Sequence, residues 1–200
     1  MSDADALREQ VAWACRILAR EGYVDLTLGH VSARLDEHVV LIKRKGVALD
    51  EVTPDDVVEI DLDGAARDAD VVTHLETVLH TEVYRARPDV GAVVHGHPPY
   101  ATALAATEEP LQYLTHDAVL FPEGLARFED SADLIVVQEQ GRAVAAALGA
   151  ARVVLLRNHG VLVVGKDVPW ATLTVNVVEL FSVALFTSPI AWGFHKSAAV

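Results

Sequence analysis

Apolar positions in the first twenty residues recur at helical spacing. Val11, Ala14, Cys15 and Leu18 share one side of a segment covering residues 3–20. Gly22 is placed to end that helix. The pattern then changes to short β-type runs, VSARL, HVVLIK and VVEIDLDG, the last closing on an Asp-Gly turn signal. THLETVLHTEVYRARPD reads as a helix that starts at Thr73 and is stopped by Pro88. VGAVVHGH is a continuous apolar strand, and PPYATALAA begins another helix with proline in its first turn. QGRAVAAALG is a helix closed by Gly149, ARVVLLRNHG a buried strand ending in Gly160, and VLVVGK a further strand. The last element, KDVPWATLTVNVVELFSVALF, is a long helix with Asp167 at its N-cap and Pro169 in its first turn. It is apolar on nearly every side, which suits a helix between the sheet and a neighbouring subunit. With no linker and no repeat, the pattern describes one α/β domain over residues 1–200 around a central sheet. Periodicity leaves open whether that sheet is parallel or antiparallel.

Composition narrows the partners. Two hundred residues can bury a sizeable core. The 16 basic and 29 acidic residues give a formal charge of −13, which argues against nucleic acid or an anionic membrane as the main partner. Three of the 16 cations, Lys43, Arg44 and Lys45, stand together in LIKRKGVALD, so a small anion could still be held there. Cys15 is the single cysteine, which excludes an intrachain disulfide and disfavours a thiolate metal site. The N-terminus is acidic and polar, unlike a targeting peptide, and no apolar run reaches the length of a membrane span. A soluble, cytoplasmic protein is expected.

His95 and His97 stand at i and i+2 on a predicted strand, so both side chains leave the same face. They could share a metal ion, or simply close a buried strand as polar residues. His159 lies at the end of another buried strand, before a glycine that permits a sharp turn. Three histidines so placed point to a three-His site with coordination positions left for substrate. Glu76 has two readings. It completes a Thr73-x-x-Glu76 capping box, or it is a carboxylate beside the metal that carries protons or serves as a spare ligand. His80, one helical turn on, reads as a hydrogen-bonded core histidine.

Four segments in order resemble the class II aldolase/adducin family: TLGHVSARL, LIKRKGVALDEVTPDDVVEIDLDG, HLETVLHTEVYRARPDVGAVVHGHPPYATAL and VVLLRNHGVLVVGKDVPWA. The resemblance implies an α/β/α domain around a mainly antiparallel sheet, and a divalent metal held by His95, His97 and His159. It implies an acid/base role for Glu76, and active sites near the subunit interfaces of a homo-oligomer, with a tetramer favoured. There are departures. This chain has His30 where the sugar-phosphate aldolases carry asparagine, Lys45-Gly46 where they have Thr-Gly, and His74-Leu75 where they have Ser-Ser. Those are phosphate-holding positions, and a leucine cannot donate the lost hydrogen bond. A tyrosine acid of the aldolases is replaced near YLTHDAVL by His116 or a neighbour.

The altered pocket suits a small carboxylate better than a sugar phosphate. A metal chelated by two substrate oxygens can stabilise charge left by a broken C–C bond, and loss of CO2 from a hydroxylated aromatic or heteroaromatic (di)carboxylic acid needs the same electron sink. The expected activity is metal-dependent, non-oxidative decarboxylation. Substrate contacts are assigned to His30, Ser32, Arg34, Arg44, Lys45 and Gly46. Lys45 is favoured by motif position for the second carboxylate, with Arg44 and Lys43 next, unless IKRK is only a solvated strand end. His116 and His74 are the candidate ring-protonating acids beside Glu76. Three imidazoles favour Mn, Zn, Co or Fe(II) over Mg, and no organic cofactor is expected. Rival readings are an aldolase or epimerase on a non-phosphorylated hydroxy acid, an Fe(II) oxygenase, and a non-catalytic adducin-like module.

Overall fold

The structure is a computed structural model that describes residues 2–23, 26–108 and 116–187. Seven strands form one sheet: β1 (His30–Arg34), β2 (Val39–Lys43), β3 (Val57–Asp61), β4 (Ala92–Gly96), β5 (Ala126–Phe128), β6 (Val153–Leu156) and β7 (Gly160–Gly165). Their spatial order is β3-β2-β1-β4-β7-β6-β5. Every pairing is antiparallel except β5 with β6, so the sheet is mainly antiparallel. The helices are α1 (Asp3–Arg20), α2 (Thr77–Ala86), α3 (Pro99–Ala105), α4 (Gln138–Leu148) and α5 (Val168–Thr187).

Alternation along the strands shows why the central runs are apolar throughout. Val31, Ala33, Ala92, Val94, Val161 and Val163 pack in one core with residues of α1, α3 and α5. Val93, Val154, Leu156, Leu162 and Val164 face the other way and pack with Leu79, Val83, Val144 and Leu148 of α2 and α4. A sheet covered on both faces loses the polar half of its alternation. The result is three layers, α/β/α.

Local chemistry sets the helix ends. The Ser2 hydroxyl accepts from the Asp5 amide at 3.1 Å while the Asp5 carboxylate accepts from the Ser2 amide at 2.9 Å, a reciprocal cap on α1. The Tyr23 amide reaches back to the Leu18 carbonyl at 3.1 Å around Gly22, whose φ is +91°. Asp167 caps α5 through the Trp170 amide at 2.9 Å. The Glu179 carboxylate of α5 takes the Tyr100 and Ala101 amides at 3.0 and 2.7 Å and so ties down the start of α3.

Two expectations are corrected here. Residues 73–76 are not helical, and α2 begins at Thr77 with Glu76 as its N-cap. The Thr73 capping box therefore does not form. His74 and Glu76 turn inward instead, both buried. The second correction concerns α5, which is long and apolar enough to cross a membrane by length and composition. Its Val168, Ala171, Val175, Val178 and Phe181 are buried, and it packs on α1, α3, β4 and β7 as a core helix. Trp170, Leu173 and Leu180 remain exposed on its outer side.

Candidate metal centre and its histidine cluster

Two periodicities meet beneath the sheet. His30, Ser32 and Arg34 alternate on β1, while Glu76, His80 and Tyr84 recur every fourth residue at the start of and along α2. His30 Nδ1 lies 2.6 Å from His80 Nε2, Ser32 Oγ lies 2.6 Å from His80 Nδ1 and 2.8 Å from the Tyr84 hydroxyl, and Arg34 donates to the Tyr84 carbonyl at 2.6 Å. Close packing of α2 on α4 keeps the stripe in place. A Cβ at Gly141 would stand 2.7 Å from the Val78 carbonyl oxygen.

Strand register then brings in the metal-binding candidates. His30 of β1 pairs with His95 of β4, their ring centroids 5.0 Å apart. His97 follows the end of β4, and His159 lies in the turn between β6 and β7. Asn158, with φ of +54°, makes the turn that the sequence had assigned to Gly160. Gly160 serves close approach instead, since a Cβ there would fall 2.6 Å from both the Gly96 carbonyl oxygen and His97 Cδ2. Gly160→Ala is expected to cost about 1–3 kcal/mol through overpacking against backbone and to weaken metal binding by displacing His97. Thermal melts of metal-free protein and a metal titration check both. Unchanged values would mean that this contact does not position His97.

One ligand atom from each of His95, His97 and His159 lies within 4.8 Å of the others, as do atoms of His30, Glu76 and His95. His95 Nδ1 is 2.9 Å from the Val161 carbonyl oxygen, so it carries the proton and leaves the Nε2 lone pair directed elsewhere. His95 Nε2 and both nitrogens of His159 are buried without a hydrogen-bond partner among the described residues. Buried, unpartnered imidazole nitrogens on converging side chains fit a divalent transition metal. Burial holds His95 below its ordinary pKa, although the adjacent Glu76 opposes the shift, so the ring is kept in the neutral form that binds metal.

Glu76 faces these rings. Its Oε2 lies 3.5 Å from His95 Nε2 and its Oε1 3.5 Å from His159 Nε2, and the Ile135 amide donates to Oε1 at 2.9 Å. Burial pushes the Glu76 carboxyl up, but the His159 and His95 nitrogens and the Ile135 amide outweigh it. The group is held below the usual carboxylate range.

The cationic arm differs from expectation. Lys45 has an exposed side chain at a turn where exposed Gly46 has φ of +88°. Arg44 is paired with Asp56 at 2.9 Å. The cation that enters the interior is Lys43, fully buried, its Nζ 3.1 Å from the Thr27 carbonyl oxygen and 3.4 Å from His74 Nε2. Burial lowers its pKa to about 8. His74 lies 4.4 Å from His30, ring to ring, and burial with the neighbouring Lys43 charge lowers its pKa to about 4. Its ring is thus held neutral at working pH.

Ser32 and Arg34, expected at the substrate, are taken up by protein partners. Arg34 donates to the carbonyls of Val90, Tyr84 and Arg87 at 3.0, 2.6 and 3.2 Å. His116 is exposed in a short 3-10 turn and is not among the rings in contact with the cluster. Residues 113–115 of the YLTHDAVL segment lie outside the described residues. The Ile135 amide has no counterpart in the sequence pattern, because a backbone donor leaves no side-chain signal.

Residues 9–184 match the family model described as Class II Aldolase and Adducin N-terminal domain. The chain is 32% identical over 192 residues to a 3,4-dihydroxyphthalate decarboxylase of Arthrobacter keyseri, covering 86% of this chain and 74% of that protein. It is 33% identical over 180 residues to a methylthioribulose-1-phosphate dehydratase of Gluconobacter oxydans, covering 85% and 86%. Among solved structures, an aldolase II superfamily protein from Pseudomonas syringae superposes with a TM-score of 0.86 at 27% identity, covering 96% of this chain and 78% of the other.

Proposed function

The chain belongs to the class II aldolase and adducin family, and from that premise we propose that it is a metal-dependent, non-oxidative decarboxylase of a hydroxylated aromatic or heteroaromatic dicarboxylic acid. The supporting observation is Lys43, a fully buried cation beside His74 at the edge of the histidine cluster. A buried ammonium calls for an anionic partner, and a second substrate carboxylate supplies one. The similarity to a dihydroxyphthalate decarboxylase points the same way.

His95, His97 and His159 would hold Mn, Zn, Co or Fe(II), which when bound supplies a Lewis acid for the substrate's chelating oxygens. Glu76 takes the proton of the substrate hydroxyl as it binds. It returns that proton to the ring carbon bearing the carboxylate. The C–C bond then breaks, its electron pair restores the aromatic ring, CO2 leaves, and solvent reprotonates the hydroxyl oxygen. Lys43 and His74 orient the other carboxylate. No organic cofactor takes part. Exposed Leu28, Val72, Leu75, Leu134 and Val136 flank segments that carry site residues, and we extend the reading to a soluble, cytoplasmic homo-oligomer, a tetramer in the first instance, covering this end.

The test is turnover of hydroxy-aromatic mono- and dicarboxylates by metal-analysed protein, with CO2 and O2 both followed. CO2 release without O2 uptake is expected; O2 uptake, or aldehyde without CO2, would sink the reading. A second reading, dehydration of a phosphorylated ketose, is favoured by the dehydratase relative, and turnover of such a substrate would replace the first. Lys43 also makes a pH signature. Raising pH through about 8 removes its charge, so kcat/KM for the dicarboxylate should fall above that pH while kcat holds, because a bound carboxylate keeps Lys43 protonated. Lys43→Arg should move that limb to higher pH, and Lys43→Met should lower kcat/KM roughly 10- to 150-fold. A pH profile indifferent to both variants would remove Lys43 from the site.

A further inference from the structure

Tyr84, Ser32 and His80 are all fully or almost fully buried and stand in line behind His30. The links are Tyr84 hydroxyl to Ser32 Oγ at 2.8 Å, Ser32 Oγ to His80 Nδ1 at 2.6 Å, and His80 Nε2 to His30 Nδ1 at 2.6 Å. We infer that these three side chains form a one-way hydrogen-bond chain that fixes His30 as its neutral Nε2–H tautomer, so that His30 presents a donor to a substrate oxygen.

Proton counting gives the chain only two senses. Each hydroxyl has one proton, and so does each neutral imidazole; full burial disfavours the charged ring. In one sense Tyr84 donates to Ser32, Ser32 to His80 Nδ1, and His80 Nε2–H to His30 Nδ1, which leaves the His30 proton on Nε2. In the other, His30 Nδ1–H donates towards Tyr84, and the phenol proton must find a different acceptor.

Tyr84 decides between them. Ser32 Oγ is the one hydrogen-bond partner of its hydroxyl among the described residues. The Arg34 guanidinium lies over its ring, 4.7 Å from the centroid. A buried phenol proton needs an acceptor, and Ser32 Oγ is the one in reach. Leaving a buried O–H unpaired would disfavour the reverse sense roughly five- to 150-fold. His30 faces the site, its ring 5.0 Å from His95, with Nδ1 committed to His80 and Nε2 therefore the free nitrogen. A fixed N–H there would stabilise negative charge gathering on a substrate oxygen. The β1 pattern His30, Ser32, Arg34 thus becomes one donor and its supports. His30 is the catalytic residue, and Ser32, His80 and Tyr84 are positioning residues.

The use of this donor rests on the decarboxylase reading, whereas the tautomer does not. The experiment is 15N–1H spectroscopy of the histidine rings in the full chain, labelled at histidine and loaded with Zn²⁺. His30 and His80 are expected to show protonated Nε2 and bare Nδ1, and Tyr84→Phe and Ser32→Ala to yield mixed tautomers. With a substrate in hand, Tyr84→Phe should lower kcat roughly five- to 150-fold with KM little changed, and Ser32→Thr should recover what Ser32→Ala loses. Nδ1-protonated rings in the unaltered protein, or tautomers unmoved by Tyr84→Phe, would overturn the inference. The spectrum of the unaltered protein answers the question even if a variant fails to fold. Absence of CO2 release would count against the decarboxylase reading alone.

Discussion

Replacing His159 by alanine is expected to strip the protein of its metal. The centre has three imidazole candidates whose ligand atoms lie within 4.8 Å of each other, and losing one leaves two. Removing a mere outer-shell partner typically costs about 10–100-fold in metal affinity, and loss of a ligand should exceed that. Turnover should fall to background with it. The same substitution has an unusual expectation for stability. Both His159 ring nitrogens are buried without a hydrogen-bond partner among the described residues, which costs about 1–3 kcal/mol, and the Glu76 carboxylate 3.5 Å from Nε2 offsets only part of that. Metal-free His159→Ala should therefore melt no lower than the metal-free unaltered chain. A structural histidine would do the opposite. Metal analysis and paired melts decide, and unchanged metal content would show that His159 is not a ligand.

Glu76→Gln should separate proton transfer from metal binding. The amide keeps an oxygen for the Ile135 N–H, which Glu76 now takes at 2.9 Å, but it cannot accept and return a proton. A general acid–base group contributes about 10²–10⁴-fold, so kcat should fall by that factor with bound metal unchanged. Loss of metal in this variant would instead make Glu76 a ligand, through the alternative grouping with His30 and His95. Loss of neither activity nor metal would return Glu76 to a structural role.

Much of the fold was legible where one local signal was sufficient. Strong amphipathic spacing located α1, Pro and Gly punctuation located α3 and α4, and apolar runs located β4, β6 and β7. β5 has no sequence signature, because three residues on a sheet edge carry no period. A Thr-x-x-Glu spacing fits a cap equally well when the carboxylate is needed elsewhere, so the spacing alone places the start of α2 too early. Among Lys43, Arg44 and Lys45, spacing cannot show which cation turns inward. Asp56 decides it for Arg44 by pairing with it at the surface, and burial beside His74 decides it for Lys43.

The sequence by itself determined the donor types and their facing. HxH on a strand, His-x-Ser-x-Arg on another, and Glu, His and Tyr every fourth residue are set by periods of two and 3.6. It did not determine which of these sets would meet. The tertiary structure decided that, by pairing His30 with His95 across β1 and β4, turning at Asn158 to present His159, and packing α2 beneath β1. The physical reason is that covalent spacing controls direction along one element only. Register and layer packing control distance between elements, and a metal centre or a hydrogen-bond chain exists only at the right distance.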